Sequence, residues 1–135
     1  VGLVSFPNGA YYAASKHALE GYYKALRYEL TEFNIRVAMI EPGSFKTNIM
    51  DNSSTTLDRI EDYNTLRNKN KKYADFIVEQ GEDPAMVAEK VLKVVKTDKP
   101  KFRNLVGKGL SVLITLHHFA YGVLEKTILK QLNKA

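Results

Sequence analysis

From Tyr12 to Phe33 apolar residues recur at three- and four-residue intervals, at Ala14, Ala18, Leu19, Tyr22, Ala25, Leu26 and Leu30. That period predicts one helix with an apolar stripe, and Asn34 is its natural stop. Ile35 to Ile40 is a short β-branched run, the pattern of a strand buried on both faces of a parallel sheet. Pro42-Gly43 ends it. From Asp51 to Gly81 the chain turns polar and charged, with weak helical periods over Leu57 to Tyr63 and Leu66 to Val78. Asp83-Pro84 then opens a helix, with Asp as cap and Pro at the first position. Val87, Val91, Val94 and Val95 form its apolar face, and the helix is expected to end near Thr97. Phe102 to Val106 reads as a last strand, and Gly107-Lys108-Gly109 as a turn into one final helix from Leu110 to Leu132. Strand, helix and turn in this order are the grammar of an open α/β sheet, whose ligands sit beyond the carboxyl ends of the strands.

Composition narrows the class. The 135 residues are 44% hydrophobic, enough for one modest domain but not for two independent cores. No cysteine is present, so disulfides and thiolate metal sites are excluded, and a reducing, cytoplasmic setting is expected. His17, His117 and His118 show no ligand spacing with carboxylates, so no metal site is expected. The Asn52-Ser53-Ser54 sequon is read as chance.

The net charge of +5 sits in the tail, where residues 101–135 hold six basic side chains against one acidic. Lys101, Arg103, Lys108, Lys126, Lys130 and Lys134 are scattered and lack an aromatic stacking platform, which argues against a nucleic-acid partner. Lys69, Lys71 and Lys72 read as a solvated helix face. Leu110 to Leu124 is short of a membrane span and is interrupted by two histidines and Gly122. The final helix packs on the sheet or a partner subunit, with an apolar substrate pocket or a membrane surface as its other uses.

One spacing carries chemistry. Tyr12 and Lys16 stand one turn apart on one helix face. A free tyrosine titrates near ~10 and is a poor base at neutral pH, whereas an adjacent lysine stabilises the phenolate and lowers that value. The same spacing also occurs on solvated faces with no chemistry, and the surrounding residues decide between the two.

Those residues are Pro7-Asn8-Gly9 before the pair, Ala18-Leu19-Glu20-Gly21 behind it, and Arg36-Val37-Ala38-Met39-Ile40-Glu41-Pro42-Gly43-Ser44-Phe45-Lys46-Thr47 after the helix. Together with the polar insert and the Phe102-to-Gly109 segment, they make the chain similar to the short-chain dehydrogenase/reductase family. Tyr12 to Gly21 and Glu41 to Asn48 are closest to its 17-beta-hydroxysteroid and retinol dehydrogenase-like branch and the bacterial members of that branch.

The resemblance implies the C-terminal portion of a Rossmann-type, doubly wound parallel sheet. It also implies alcohol/ketone oxidoreduction with NAD or NADP on a small, apolar substrate. Tyr12 would be the general acid/base. Lys16 would lower its pKa and bond the nicotinamide ribose. Pro42 and Gly43 would let backbone approach the nicotinamide, and Thr47 would bond the carboxamide or diphosphate. Residues 51–83 would cover the substrate, residues 84–135 would supply the last helices and strand, and the full-length enzyme would be a homo-oligomer. Ser15 is expected to pack rather than react, and Tyr11 to be structural.

The family's glycine-rich phosphate turn is missing from the sequence, since no G-x-x-x-G-x-G or G-x-G-x-x-G occurs. Aligned on Pro7 and Tyr12, the family's catalytic serine falls just ahead of Val1, and Ser5 is too near to replace it. The expectation is therefore the C-terminal part of a longer enzyme, inactive when isolated. The alternative is a non-catalytic fragment or dimerisation module, whose exposed strand edge and long first helix would drive association.

Overall fold

The computed structural model describes residues 2–49 and 60–134. The Asn52 sequon, residues 51–59 of the polar insert and the start of the 57–63 helical pattern lie outside those residues. Helix α1, Ala10–Glu29, follows a turn in which Asn8 is left-handed and the Gly9 N–H bonds the Phe6 carbonyl at 3.2 Å. A 3-10 turn, Leu30–Phe33, extends it to Asn34, whose φ of 55° is left-handed. There the Asn34 and Ile35 N–H groups bond the Thr31 and Leu30 carbonyls at 3.1 and 3.2 Å. A left-handed residue that turns its neighbours' N–H groups back on the last carbonyls is how helices stop, so Asn34 ends the helix as the sequence indicates.

Strand β1 is Met39–Pro42 and strand β2 is Arg103–Val106, paired in parallel with Met39 opposite Arg103 and Pro42 opposite Val106. Between them run a 3-10 turn at Glu61–Tyr63, helix α2 at Asn64–Glu79 and helix α3 at Ala85–Val95. The Asp83 carboxylate accepts the Ala85 N–H at 2.9 Å, the capping role its sequence position predicts.

Two expectations need correction. The strand expected over Ile35 to Ile40 runs instead over Met39–Pro42, and it is half-buried rather than buried on both faces. The ladder opens with Met39 N–H on Phe102 O at 2.6 Å and closes with Gly43 N–H on Val106 O at 2.8 Å. A strand exists only where a neighbour answers its hydrogen bonds, and β2 answers four residues.

The single final helix is two, α4 at Leu110–Phe119 and α5 at Tyr121–Lys134, because Ala120 (φ −143°, ψ 45°) leaves helical geometry. Unbroken, Leu110 to Leu132 would be a rod of roughly 35 Å. The break stands beside the weak helix former Gly122; beyond it α5 contacts both α4 and α2, and its Leu124 is buried. His117 steadies the corner with edge contacts to His118 at 5.5 Å and to Tyr121 at 5.7 Å.

Beyond β1 the chain passes close against the segment that leads into α3. Phe45 bridges Glu82, with Lys46 N–H on Glu82 O and Glu82 N–H on Ser44 O, both at 3.0 Å. Gly81 is buried under this crossing. A Cβ there would fall 2.7 Å from the Phe45 carbonyl carbon and 2.8 Å from Lys46 N.

Candidate active site

The N-terminal half of α1 presents Tyr12 and Lys16 together. Lys16 Nζ lies 5.2 Å from the Tyr12 ring centroid, a cation–π contact that holds ammonium and phenol as one unit. Tyr12 is 48% exposed. Ser15 Oγ donates to the Tyr12 carbonyl at 2.8 Å, which occupies its proton in the helix backbone. Tyr11 points to solvent on another face of the helix.

Pro42 and Gly43 form the carboxyl end of β1, level with Val106 at the carboxyl end of β2. A cleft of about 400 Å³ opens there, lined by Gly43, Ser44, Gln80, Glu82, Gly109 and Leu110 among others. Gly107 (φ 112°) and Gly109 (φ 75°) form its turn in conformations that side chains disfavour. The Lys108 N–H bonds Glu82 Oε2 at 2.8 Å, which ties this turn to the segment entering α3. Thr47 is exposed two residues beyond the Phe45–Glu82 bridge.

The site residues thus form two groups, one on α1 and one at the strand ends. Among the described residues, a partly buried ion cluster connects the elements that carry them. Arg103 at the start of β2 donates from Nη2 to Glu20 Oε2 on α1 at 2.7 Å and from Nη1 to Glu41 Oε1 on β1. Glu20 is 5% exposed. Sequence reasoning missed this cluster and counted Arg103 among scattered tail charges. Two signals were available: Glu20 continues the Tyr12, Lys16 spacing by another turn, and Glu41 and Arg103 are charges within strand runs.

Burial pushes the Glu41 carboxyl above its ordinary value of 4.5, and the neighbouring Glu20 carboxylate adds to that, against the opposing pull of Arg103. A native value above the unfolded one means that the folded state holds the proton more tightly. The contribution of Glu41 to stability is therefore most favourable below about 4.5 and is lost as pH rises through the raised native value. Denaturant midpoints measured from pH 4 to 8 are expected to lose this downward component in Glu41→Gln. Identical slopes in both proteins would contradict the assignment.

A parallel β–α–β unit with a Tyr–Lys pair on the preceding helix and a Pro-Gly turn at the strand end makes this an α/β protein. The family profile described as short chain dehydrogenase matches residues 1–58. An uncharacterised oxidoreductase of Bacillus subtilis, YusZ, is 34% identical over 97% of this chain and 49% of its own length. The 3-ketodihydrosphingosine reductase of Bacteroides thetaiotaomicron is 33% identical over 83% of this chain and 42% of its own. The crystal structure of a short-chain dehydrogenase from Streptomyces avermitilis superimposes with a TM-score of 0.68 at 25% identity, covering 98% of this chain and 48% of that one.

The chain belongs to the short-chain dehydrogenase/reductase family. It spans about half the length of these relatives. Among the described residues no helix is long and apolar enough to cross a membrane.

Proposed function

We propose that the intact protein is an NAD(P)-dependent oxidoreductase that interconverts a small, apolar alcohol and its ketone. The observation that carries this reading is the Tyr12–Lys16 unit, a half-exposed phenol with an ammonium against its ring.

The residues fit the nicotinamide end of such a cofactor. Lys16 offers N–H donors beside Tyr12, and Gly43, with no side chain of its own, borders an open cleft at the strand ends. Lys16 would hold the ribose hydroxyls, Thr47 the carboxamide or diphosphate, and Pro42-Gly43 the flank of the ring. When bound, the cofactor exchanges a hydride with the substrate carbon.

The chain's own residues do the rest. The Tyr12 hydroxyl gives its proton to the ketone oxygen during reduction, or takes the proton of the alcohol during oxidation. The Lys16 ammonium places positive charge beside the phenolate that this leaves. Leu110 and Leu113 supply apolar wall to the cleft. An apolar, lipid-like substrate also agrees with the relative named for 3-ketodihydrosphingosine reduction.

Lys16→Met in the intact protein is expected to weaken turnover and cofactor affinity together, measured by steady-state kinetics and by fluorescence titration with NADH and NADPH. A loss confined to one of the two would remove one of the roles given to Lys16.

A second reading, a dimerisation module, is favoured by the other side of α1. Tyr11 and Tyr22 lie along one exposed stripe there, 95% and 60% accessible. Sedimentation equilibrium of the protein decides it, since a monomer at micromolar concentration leaves that stripe without the role.

A further inference from the structure

The Glu20–Arg103–Glu41 cluster does something that neither its charges nor the proposed chemistry requires of it. Tyr12, Lys16 and Glu20 follow one another at intervals of four on α1, so they share a stripe one turn apart each. Glu20 is the member that faces inward. Its carboxylate lies on a guanidinium that begins β2, and the same guanidinium holds the Glu41 carboxylate on β1, immediately before Pro42-Gly43.

The two bonds leave from different nitrogens of one planar group, and they join residues 83 and 62 positions apart in the chain. A rigid fork spanning two carboxylates fixes both distance and direction, which a single point charge on a flexible stem does not. The site's two groups sit on separate elements, and α1 has few other polar ties to the sheet region. One is Arg27, which donates to the Val37 carbonyl and lies 5.5 Å from the Phe102 ring, near the far end of the helix. Glu20, at the middle of the helix and one turn past Lys16, is the tie nearer the Tyr–Lys unit.

We infer that Glu20, Arg103 and Glu41 are positioning residues, a three-point tie that sets the Tyr12–Lys16 face of α1 against the Pro42-Gly43 end of the sheet. The inference rests on the proposed oxidoreductase reading for its catalytic consequence, but not for the tie itself.

Burial makes the tie consequential. Glu20 and Glu41 both lie mostly out of solvent, so removing the guanidinium leaves two carboxylates facing each other without their cation. They then repel, and the helix must shift or take up a proton. A shift of about 1 Å in a catalytic group can cost roughly a hundredfold in rate.

The test uses the intact protein with Arg103→Met, Arg103→Lys and Glu20→Gln. Arg103→Met is expected to speed amide hydrogen exchange over residues 12–20 at least tenfold relative to α3. It is also expected to lower kcat per folded molecule about 10- to 100-fold, with KM for the substrate within about threefold. Arg103→Lys retains the charge but not the fork and is expected to fall between the two proteins. Glu20→Gln keeps an acceptor for Arg103 and is expected to stay within about fivefold of wild type, a larger loss overturning the claim that the bond and not the charge matters there; Arg103→Lys covers the case where Arg103→Met does not fold.

Faster exchange with kcat unchanged would reduce the cluster to a structural tie and overturn the positioning role. Unchanged exchange over 12–20 would overturn the tie itself. A wild-type protein that turns over no alcohol or ketone with either nicotinamide cofactor would overturn the oxidoreductase reading and the catalytic consequence with it, and the exchange data would still decide the tie. Full activity in Arg103→Lys would show that charge alone suffices and would overturn the role given to the fork.

Discussion

Tyr12→Phe in the intact protein is expected to lower kcat about 10²- to 10⁴-fold while cofactor affinity changes little. The substitution removes one hydroxyl and leaves the ring on which the Lys16 ammonium rests, 5.2 Å away at its centroid. General acid/base groups contribute rate factors of this size, about 3 to 5 kcal/mol of barrier at 1.36 kcal/mol per decade. The loss should appear equally in kcat and kcat/KM, because the proton moves in the transition state and not on binding. Stopped-flow hydride transfer with saturating cofactor is the direct measurement. Turnover within about threefold of wild type would remove Tyr12 from the chemistry and leave the helix face without a catalytic role.

Gly81→Ala is expected to have the largest effect on stability, about 3 kcal/mol. Its Cβ would lie 2.7 Å from the Phe45 carbonyl carbon, 2.8 Å from Lys46 N and 2.9 Å from the Val78 carbonyl oxygen. All three are backbone atoms, so none can rotate aside as the tip of a side chain would. Overpacking a tight site costs roughly 1 to 3 kcal/mol, and contacts with backbone on two sides place this substitution at the upper end. Relief would require parting the Ser44–Lys46 and Gly81–Glu82 segments, whose two 3.0 Å hydrogen bonds hold the chain just before Thr47. Stability and the placement of Thr47 should therefore fail together. A guanidinium midpoint that moves by less than about 0.5 kcal/mol equivalent would show that the two segments separate freely.

The sites of these substitutions differ in how far the sequence revealed them. That Tyr12 and Lys16 share a face is read from their spacing, because a helix period turns a four-residue interval into a shared face before any tertiary contact forms, and the flanking residues point to their chemistry. Gly81 is a different case. In the sequence it marks only the end of a polar stretch, and nothing local says that another segment's backbone passes under it.

The strands show the same division. Pro42-Gly43 and Gly107-Lys108-Gly109 end their runs through backbone chemistry that any reader of the sequence can apply. Where β1 begins was decided by β2, which offers partners for Met39–Pro42 and none for Ile35 to Ala38. The β-branched character of that earlier run is real, but propensity does not supply a neighbour. The corner at Ala120 is also tertiary. The sequence from Leu110 onward is apolar enough for one helix, and the redirected α5 contacts both α4 and α2 with Leu124 out of water.

By itself, then, the sequence determined the α/β class, the helix that carries the Tyr–Lys pair, its Asn34 stop, and the Pro-Gly turn at the strand end. Each of these follows from forces acting within a few residues: the helix period, fixed or permissive φ, and the pairing of side chains one turn apart. The tertiary structure alone decided which residues of the first strand are paired, where the last helix breaks, why residue 81 must be glycine, and that Glu20, Glu41 and Arg103 meet. These depend on groups far apart in the chain, and only the folded structure shows which of them come together.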